Sequence, residues 1–155
     1  MKRITWWPQA WFGLVFTWGA LVGWVALRSD RIDAMLALWA GSIFWCIGYD
    51  TIYALQDKED DALVGIRSSA LRLGANVKAG VLAFYGLALA FWGLAAWLVR
   101  EDPLAMLALL PAAVHLLWQG LTLDPADGAG ALERFRSNRF AGLLVAAACF
   151  VVGNA

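Results

Sequence analysis

The sequence predicts an all-α fold, an integral membrane bundle of about five transmembrane helices, and three observations predict it. Hydrophobic residues fill 62% of the 155 positions and charged residues only 15%, where a water-soluble globule carries roughly 25% charge. Mean hydropathy is +0.65. Uncharged runs cover residues 4–27, 34–49, 79–99, 104–123 and 140–155. Positive charge is lopsided about that frame. With five spans, Lys2, Arg3, Lys58, Arg67, Arg72, Lys78, Arg134, Arg136 and Arg139 share one side, and Arg28, Arg31 and Arg100 the other. Such a bias favours five spans over four or six and puts the richer side in the cytoplasm.

Each run can be justified in order. A helix needs about 20 apolar residues to cross a hydrocarbon core of about 30 Å, and the first, third and fourth runs meet this. The first has a basic start like a signal peptide. Its bulky Trp6, Trp7, Trp11, Trp18 and Trp24, with no small-x-small cleavage site near its end, predict an uncleaved membrane helix instead. Runs 34–49 and 140–155 are short, so those helices must recruit flanking residues or end in a buried cavity. Extending the second past Tyr49 carries Asp50, Tyr53 and Asp57 out of the lipid on one rod. Trp6, Trp7, Trp24 and Trp97 suit the interfacial belt. Gly19 and Gly23 form a Gly-x-x-x-Gly pair, read as small-residue packing within the bundle before a dimer seam. Residues 124–130 are a turn-rich loop. With no repeat or linker in view, residues 1–155 read as a single membrane domain with an acidic motif segment at 50–78.

Composition excludes some classes. The formal net charge is zero and no basic stripe with interleaved aromatics occurs, so no nucleic-acid partner is expected. Cys46 and Cys149 lie in apolar runs without ligand spacing and read as packing residues.

The chemistry concentrates in Asp50, Asp57, Glu59, Asp60 and Asp61, directly after an apolar run. Charge at a membrane edge is costly without a task, and clustered carboxylates commonly hold a divalent cation. On a continuous helix Asp50, Tyr53, Asp57 and Asp61 share one face. Asp57 and Asp61 are then an i,i+4 pair that repels unless a cation lies between. Mg²⁺ suits this best, because it takes one or two carboxylates and shares its other positions with water and phosphate oxygens. Lys58, Arg67, Ser68, Ser69 and Arg72 follow, cations and hydroxyls fit for a diphosphate leaving group. A plain solvated loop is the competing reading of the same charges.

Tyr49-Asp-Thr-Ile-Tyr-Ala-Leu-Gln-Asp-Lys-Glu-Asp-Asp61, followed by Gly65-Ile-Arg-Ser-Ser69, resembles the second aspartate motif of the UbiA-type intramembrane aromatic prenyltransferases. The wording is most similar to the 4-hydroxybenzoate polyprenyltransferase branch. Met1-Lys-Arg-Ile-Thr-Trp-Trp-Pro-Gln and Phe135-Arg-Ser-Asn-Arg-Phe-Ala-Gly-Leu-Leu144 resemble that branch too, so the likeness runs over essentially the whole chain. It implies Mg²⁺-dependent transfer of a polyprenyl group from polyprenyl diphosphate to 4-hydroxybenzoate in ubiquinone biosynthesis, in a lipid bilayer, with a bacterial inner (plasma) membrane as the expected location. By the same resemblance Asp57 and Asp61 are catalytic metal ligands, joined by Asp50, while Lys58, Arg67 and Tyr53 serve the diphosphate. Members of the family have about nine helices and a first motif, N-D-x-x-D-x-x-x-D, in their amino-terminal half. No Asn-Asp pair occurs here. The chain therefore resembles the carboxy-terminal half, expected to be inactive without a separate amino-terminal half as partner.

Two other readings stand beside this one. A non-catalytic remnant of the same fold would bind lipid or a partner. A phospholipid head-group transferase would need the pattern D-x-x-D-G-x-x-A-R-x₈-G-x₃-D-x₃-D, which is missing. His115, ionisable and inside a span, reads more readily as a hydrogen-bonded packing residue than as a site. Asn138 and Arg139 read as cavity-facing or as a helix cap and anchor. Phe84, Tyr85, Phe91 and Trp92 could shield a carbocation, though helix packing explains them more cheaply.

Overall fold

The computed structural model describes residues 3–27 and 30–154, with Glu59 as backbone alone. Lys2, Arg28 and the Glu59 side chain, which entered the charge arguments above, lie outside the described residues. Five helical stretches are long and apolar enough to cross a membrane: Pro8–Leu27, Ile32–Tyr53, Ser69–Val99, Pro103–Thr122 and Gly128–Asn154. No strand occurs among the described residues. Both short runs lengthened as they had to. The second span gains residues at each end, and the fifth reaches back to Gly128 through four charged side chains, Glu133, Arg134, Arg136 and Arg139.

Local chemistry sets the breaks. The first span divides into α1 (Pro8–Phe16) and α2 (Trp18–Leu27) at Thr17. Pro8 opens α1 at a position whose N–H has no helical partner. The Thr17 hydroxyl donates to the Gly13 carbonyl at 2.7 Å. The second span is one helix, α3 (Ile32–Tyr53). A turn and the short α4 (Lys58–Val64) follow, then α5 (Ser69–Leu73) leading through a 3₁₀ turn into α6 (Val77–Val99). The fourth span runs from α7 (Pro103–Met106) through a second 3₁₀ turn into α8 (Leu110–Thr122), and the fifth is α9 (Gly128–Asn154).

Helix α3 is the axis of the bundle, and its main neighbour is α6. Two glycines a heptad apart allow the approach. A Cβ on Gly41 would lie 2.5 Å from the Trp92 ring, and one on Gly48 would lie 2.6 Å from the Tyr85 ring. Trp92 and Tyr85 are also a heptad apart, so the antiparallel register of the pair is set by two ring-on-glycine contacts. Gly19 and Gly23 do nothing comparable, since a Cβ at either would meet nothing within 4 Å. The aromatic residues of α6 are packing elements: Phe91 stacks on Phe44 with centroids 5.6 Å apart, and Phe84 meets Trp7 edge-on at 6.0 Å.

The two ends of the bundle are distinct. At one, Arg67 Nη1 donates to the Ile4 carbonyl at 3.0 Å and Lys78 Nζ donates to the Leu121 carbonyl at 2.6 Å. At the other, the Trp24 indole donates to the Asp30 carbonyl at 3.1 Å, and Arg31 pairs with Asp33 at 3.1 Å. That bond, with smaller contributions from Asp30 and Glu101, raises the Arg31 guanidinium above its ordinary value. The acidic segment belongs to the first end.

Candidate active site

The predicted continuous rod is not formed. Helix α3 stops at Tyr53, and residues 54–57 turn. The turn keeps apolar surface away from water: Ala54 and Leu55, within it, are 5% and 6% exposed and belong to the apolar core. Asp50 and Tyr53 therefore sit on one helix, and Asp57 and Asp61 on the next turn and α4. Within that second unit the one-turn spacing survives: the Asp61 N–H donates to the Asp57 carbonyl at 2.7 Å. Gly65, at φ +73°, ends α4 in the left-handed conformation that glycine adopts without penalty. The Ile66 N–H then closes onto the Asp61 carbonyl at 2.8 Å.

Around this unit the predicted residues disperse. Asp61 is buried, while Asp57 and Asp50 are half-buried. Among the described residues no three His, Cys, Asp or Glu side chains come together as metal ligands, so Asp50, Asp57 and Asp61 do not form a three-carboxylate cage. A pair of carboxylates one turn apart still matches the donor set of Mg²⁺, which leaves its other positions to water and phosphate. Lys58 and Asp60 line a cavity of about 680 Å³ between the acidic segment and the turn at Pro125, Ala126 and Gly128. Arg67 and Tyr53 are not among its lining residues. Tyr53 packs on Phe135 with centroids 4.7 Å apart, and Phe135 also meets Tyr49 at 5.8 Å. Arg67 lies over the Trp6 ring at 5.4 Å. A second, mostly apolar cavity of about 440 Å³ opens at the far end, lined by Gly19, Gly23, Trp24, Leu38, Val99 and Cys149 among others.

One feature was missed in the sequence. Gln119, fully buried in α8, accepts from the Tyr85 hydroxyl at 2.6 Å and from Asn138 Nδ2 at 3.2 Å, and it donates to Ser137 Oγ at 2.9 Å. Its amide nitrogen is also 3.1 Å from His115 Nε2. Asn138 Oδ1 accepts from the Trp45 indole at 2.8 Å. This network ties α3, α6, α8 and α9 just inside the acidic end. It makes His115 a hydrogen-bonded packing residue. Asn138 is neither a cap nor an anchor, being well inside α9, whereas Arg139 is exposed over Phe140. The available signal was Gln119 itself, an amide in an apolar run one turn after His115.

Comparison with known proteins decides the family. The model of the UbiA prenyltransferase family matches residues 1–144. The chain belongs to this family. Relatives named "4-hydroxybenzoate polyprenyltransferase, mitochondrial" are 39% identical over 94% of the chain in Arabidopsis thaliana, 40% over 93% in Caenorhabditis elegans and 40% over 94% in Homo sapiens. The chain spans 36%, 41% and 39% of those relatives' own lengths. No solved structure matches it. The expected bacterial plasma-membrane location is overturned by these relatives, which are mitochondrial by name. The cytoplasmic label for the acidic end, which was read from the bias of positive charge, is withdrawn with it. What stands is a UbiA-family membrane bundle whose acidic segment and amino-terminal segment share one end.

Proposed function

We propose that this chain takes part in moving a polyprenyl group from polyprenyl diphosphate to 4-hydroxybenzoate, a step of ubiquinone biosynthesis. The observation that carries this reading is identity of 39–40% to relatives of that name over 93–94% of the chain, acidic motif included. In the reaction the allylic C–O bond breaks and diphosphate departs. The ring carbon ortho to the phenol oxygen then bonds to the allylic carbon and loses its proton.

Asp57 and Asp61 would hold Mg²⁺, which when bound neutralises charge developing on the diphosphate. Asp50, at the end of α3, would reach the same region through water. Lys58 and Arg67 would bind diphosphate oxygens, Arg67 through its planar fork. Tyr53, 40% exposed beside Phe135, would border the leaving group. The apolar spans would take the prenyl tail and keep water from the allylic cation. The family's other aspartate motif would be supplied from outside residues 1–155.

The test is prenyl transfer in membranes, with Mg²⁺, geranyl diphosphate and 4-hydroxybenzoate, by this chain alone and co-expressed with a polypeptide carrying the N-D-x-x-D motif. Product is expected from the pair and lost with Asp57→Asn or Asp61→Asn. Product that survives both substitutions, or none in either arrangement, refutes the reading. A second reading, a non-catalytic subunit that binds lipid, is favoured by one observation: among the described residues, Tyr53 and Arg67 do not line the cavity that Lys58 borders. Prenyl-diphosphate binding without turnover by the co-expressed pair would support it.

A further inference from the structure

The segment before the first helix holds Arg67 from two directions. Arg67 Nη1 donates to the Ile4 carbonyl at 3.0 Å, and the guanidinium lies 5.4 Å from the centroid of Trp6. Two residues on, the Ser69 N–H donates to Gln9 Oε1 at 3.2 Å. Gln9 is 2% exposed and Ser69 fully buried, so this bond is made where water cannot replace it. The Ser69 and Thr51 hydroxyls are 2.7 Å apart. Thr51 already donates to the Ile47 carbonyl at 2.6 Å, so the proton between the hydroxyls comes from Ser69. Ser68, also fully buried, accepts from the Leu71 N–H at 3.3 Å and starts α5. On the other side of Arg67, Ile66 is bonded back to Asp61.

We propose that Trp6 and Gln9 are positioning residues for Arg67, which they hold as a preformed half-site for the diphosphate; this rests on the role given to Arg67 above. The arginine backbone is anchored both before and after it, through Asp61 and through Gln9 with Thr51. Its side chain is anchored by one carbonyl and one indole face. A guanidinium has five N–H donors, and the carbonyl takes one. Another edge is left for the paired hydrogen bonds that arginine makes with phosphate. An arginine already ordered loses less freedom on binding than a free one, which tightens the complex. The contact also explains why a buried glutamine stands in the first turn of an otherwise apolar span. A leucine would fill the same space without fixing the Ser69 amide.

The experiment measures Mg²⁺-dependent binding of geranyl diphosphate, and separately of inorganic diphosphate, by calorimetry to the full chain held in lipid nanodiscs together with the co-expressed polypeptide that carries the N-D-x-x-D motif. Trp6→Leu is expected to weaken both ligands about two- to fivefold, the range of a cation–π contact, and Trp6→Phe to restore most of it. Gln9→Met should weaken them by about tenfold, as expected when a buried amide loses its acceptor and the segment shifts. In an Arg67→Ala background Trp6→Leu should add nothing, an interaction that a purely structural tryptophan would not show. If Arg67→Ala weakens binding but Trp6→Leu does not, or if Trp6→Leu acts equally with and without Arg67, the positioning role is refuted and the role of Arg67 stands. If Arg67→Ala changes nothing, or the parent binds neither ligand, the underlying reading fails and takes this one with it. The Trp6 pair keeps the test decisive should Gln9→Met not fold, because Trp6 is 42% exposed.

Discussion

Substituting Gly48 by alanine tests the central packing of the bundle. The added methyl would sit 2.6 Å and 2.8 Å from two ring carbons of Tyr85, where carbon atoms prefer about 3.5–4.0 Å. The ring cannot simply swing away. Its hydroxyl is bonded to Gln119 at 2.6 Å and it is 2% exposed. Either α3 and α6 part by about 1 Å or the hydrogen bond is lost, and overpacking of this kind costs about 1–3 kcal/mol. Alanine regains about 1 kcal/mol of helix propensity over glycine, and so would Gly19→Ala and Gly23→Ala, where the methyl meets open space. The difference between Gly48→Ala and these two controls should therefore be the steric cost alone, about 1–3 kcal/mol. Sodium dodecyl sulfate titration of the detergent-solubilised chain, followed by circular dichroism, measures it. In a Tyr85→Leu background Gly48→Ala should cost less, a coupling of at least about 0.5 kcal/mol. Equal stability of Gly48→Ala and Gly19→Ala, or strict additivity with Tyr85→Leu, would refute the ring-on-glycine account.

Further outcomes follow from the same geometry. Gln119→Leu should destabilise the chain by about 1–3 kcal/mol, because it strands the Tyr85 hydroxyl away from water; Tyr85→Phe should cost less in the same titration. His115→Leu should lower stability by about 0.6–1.7 kcal/mol, the range for an interhelical hydrogen bond in a membrane protein, while leaving diphosphate binding within twofold. Chelation by EDTA should abolish diphosphate binding and added Mg²⁺ should restore it in the parent, with no restoration in a doubly substituted Asp57→Asn, Asp61→Asn chain. An apolar maleimide in detergent should modify Cys149, which is exposed, and spare Cys46, which is buried; equal labelling of both would contradict the packing of α3.

The spans were legible because lipid offers the backbone no hydrogen bonds, so a crossing helix must be long and uncharged. Even the lengthening of runs 34–49 and 140–155 could be anticipated from that demand. The acidic segment was legible as a place and as a set of residues, but not as a shape. Periodicity extends a helix as far as its pattern allows, and no local signal at Gln56 or Asp57 forbids one. The turn accompanies the burial of Ala54 and Leu55 in the apolar core, which exists only once the helices are assembled.

The sequence by itself determined an all-helical UbiA-family bundle of five apolar spans and the location of its charge, because hydropathy and a short motif are properties of the chain. Only the tertiary structure decided which glycines admit a ring, that Gln119 rather than His115 is the hub of the buried network, and that Arg67 rests on Trp6. Those are contacts between residues tens of positions apart, and a linear pattern carries no record of distance in space.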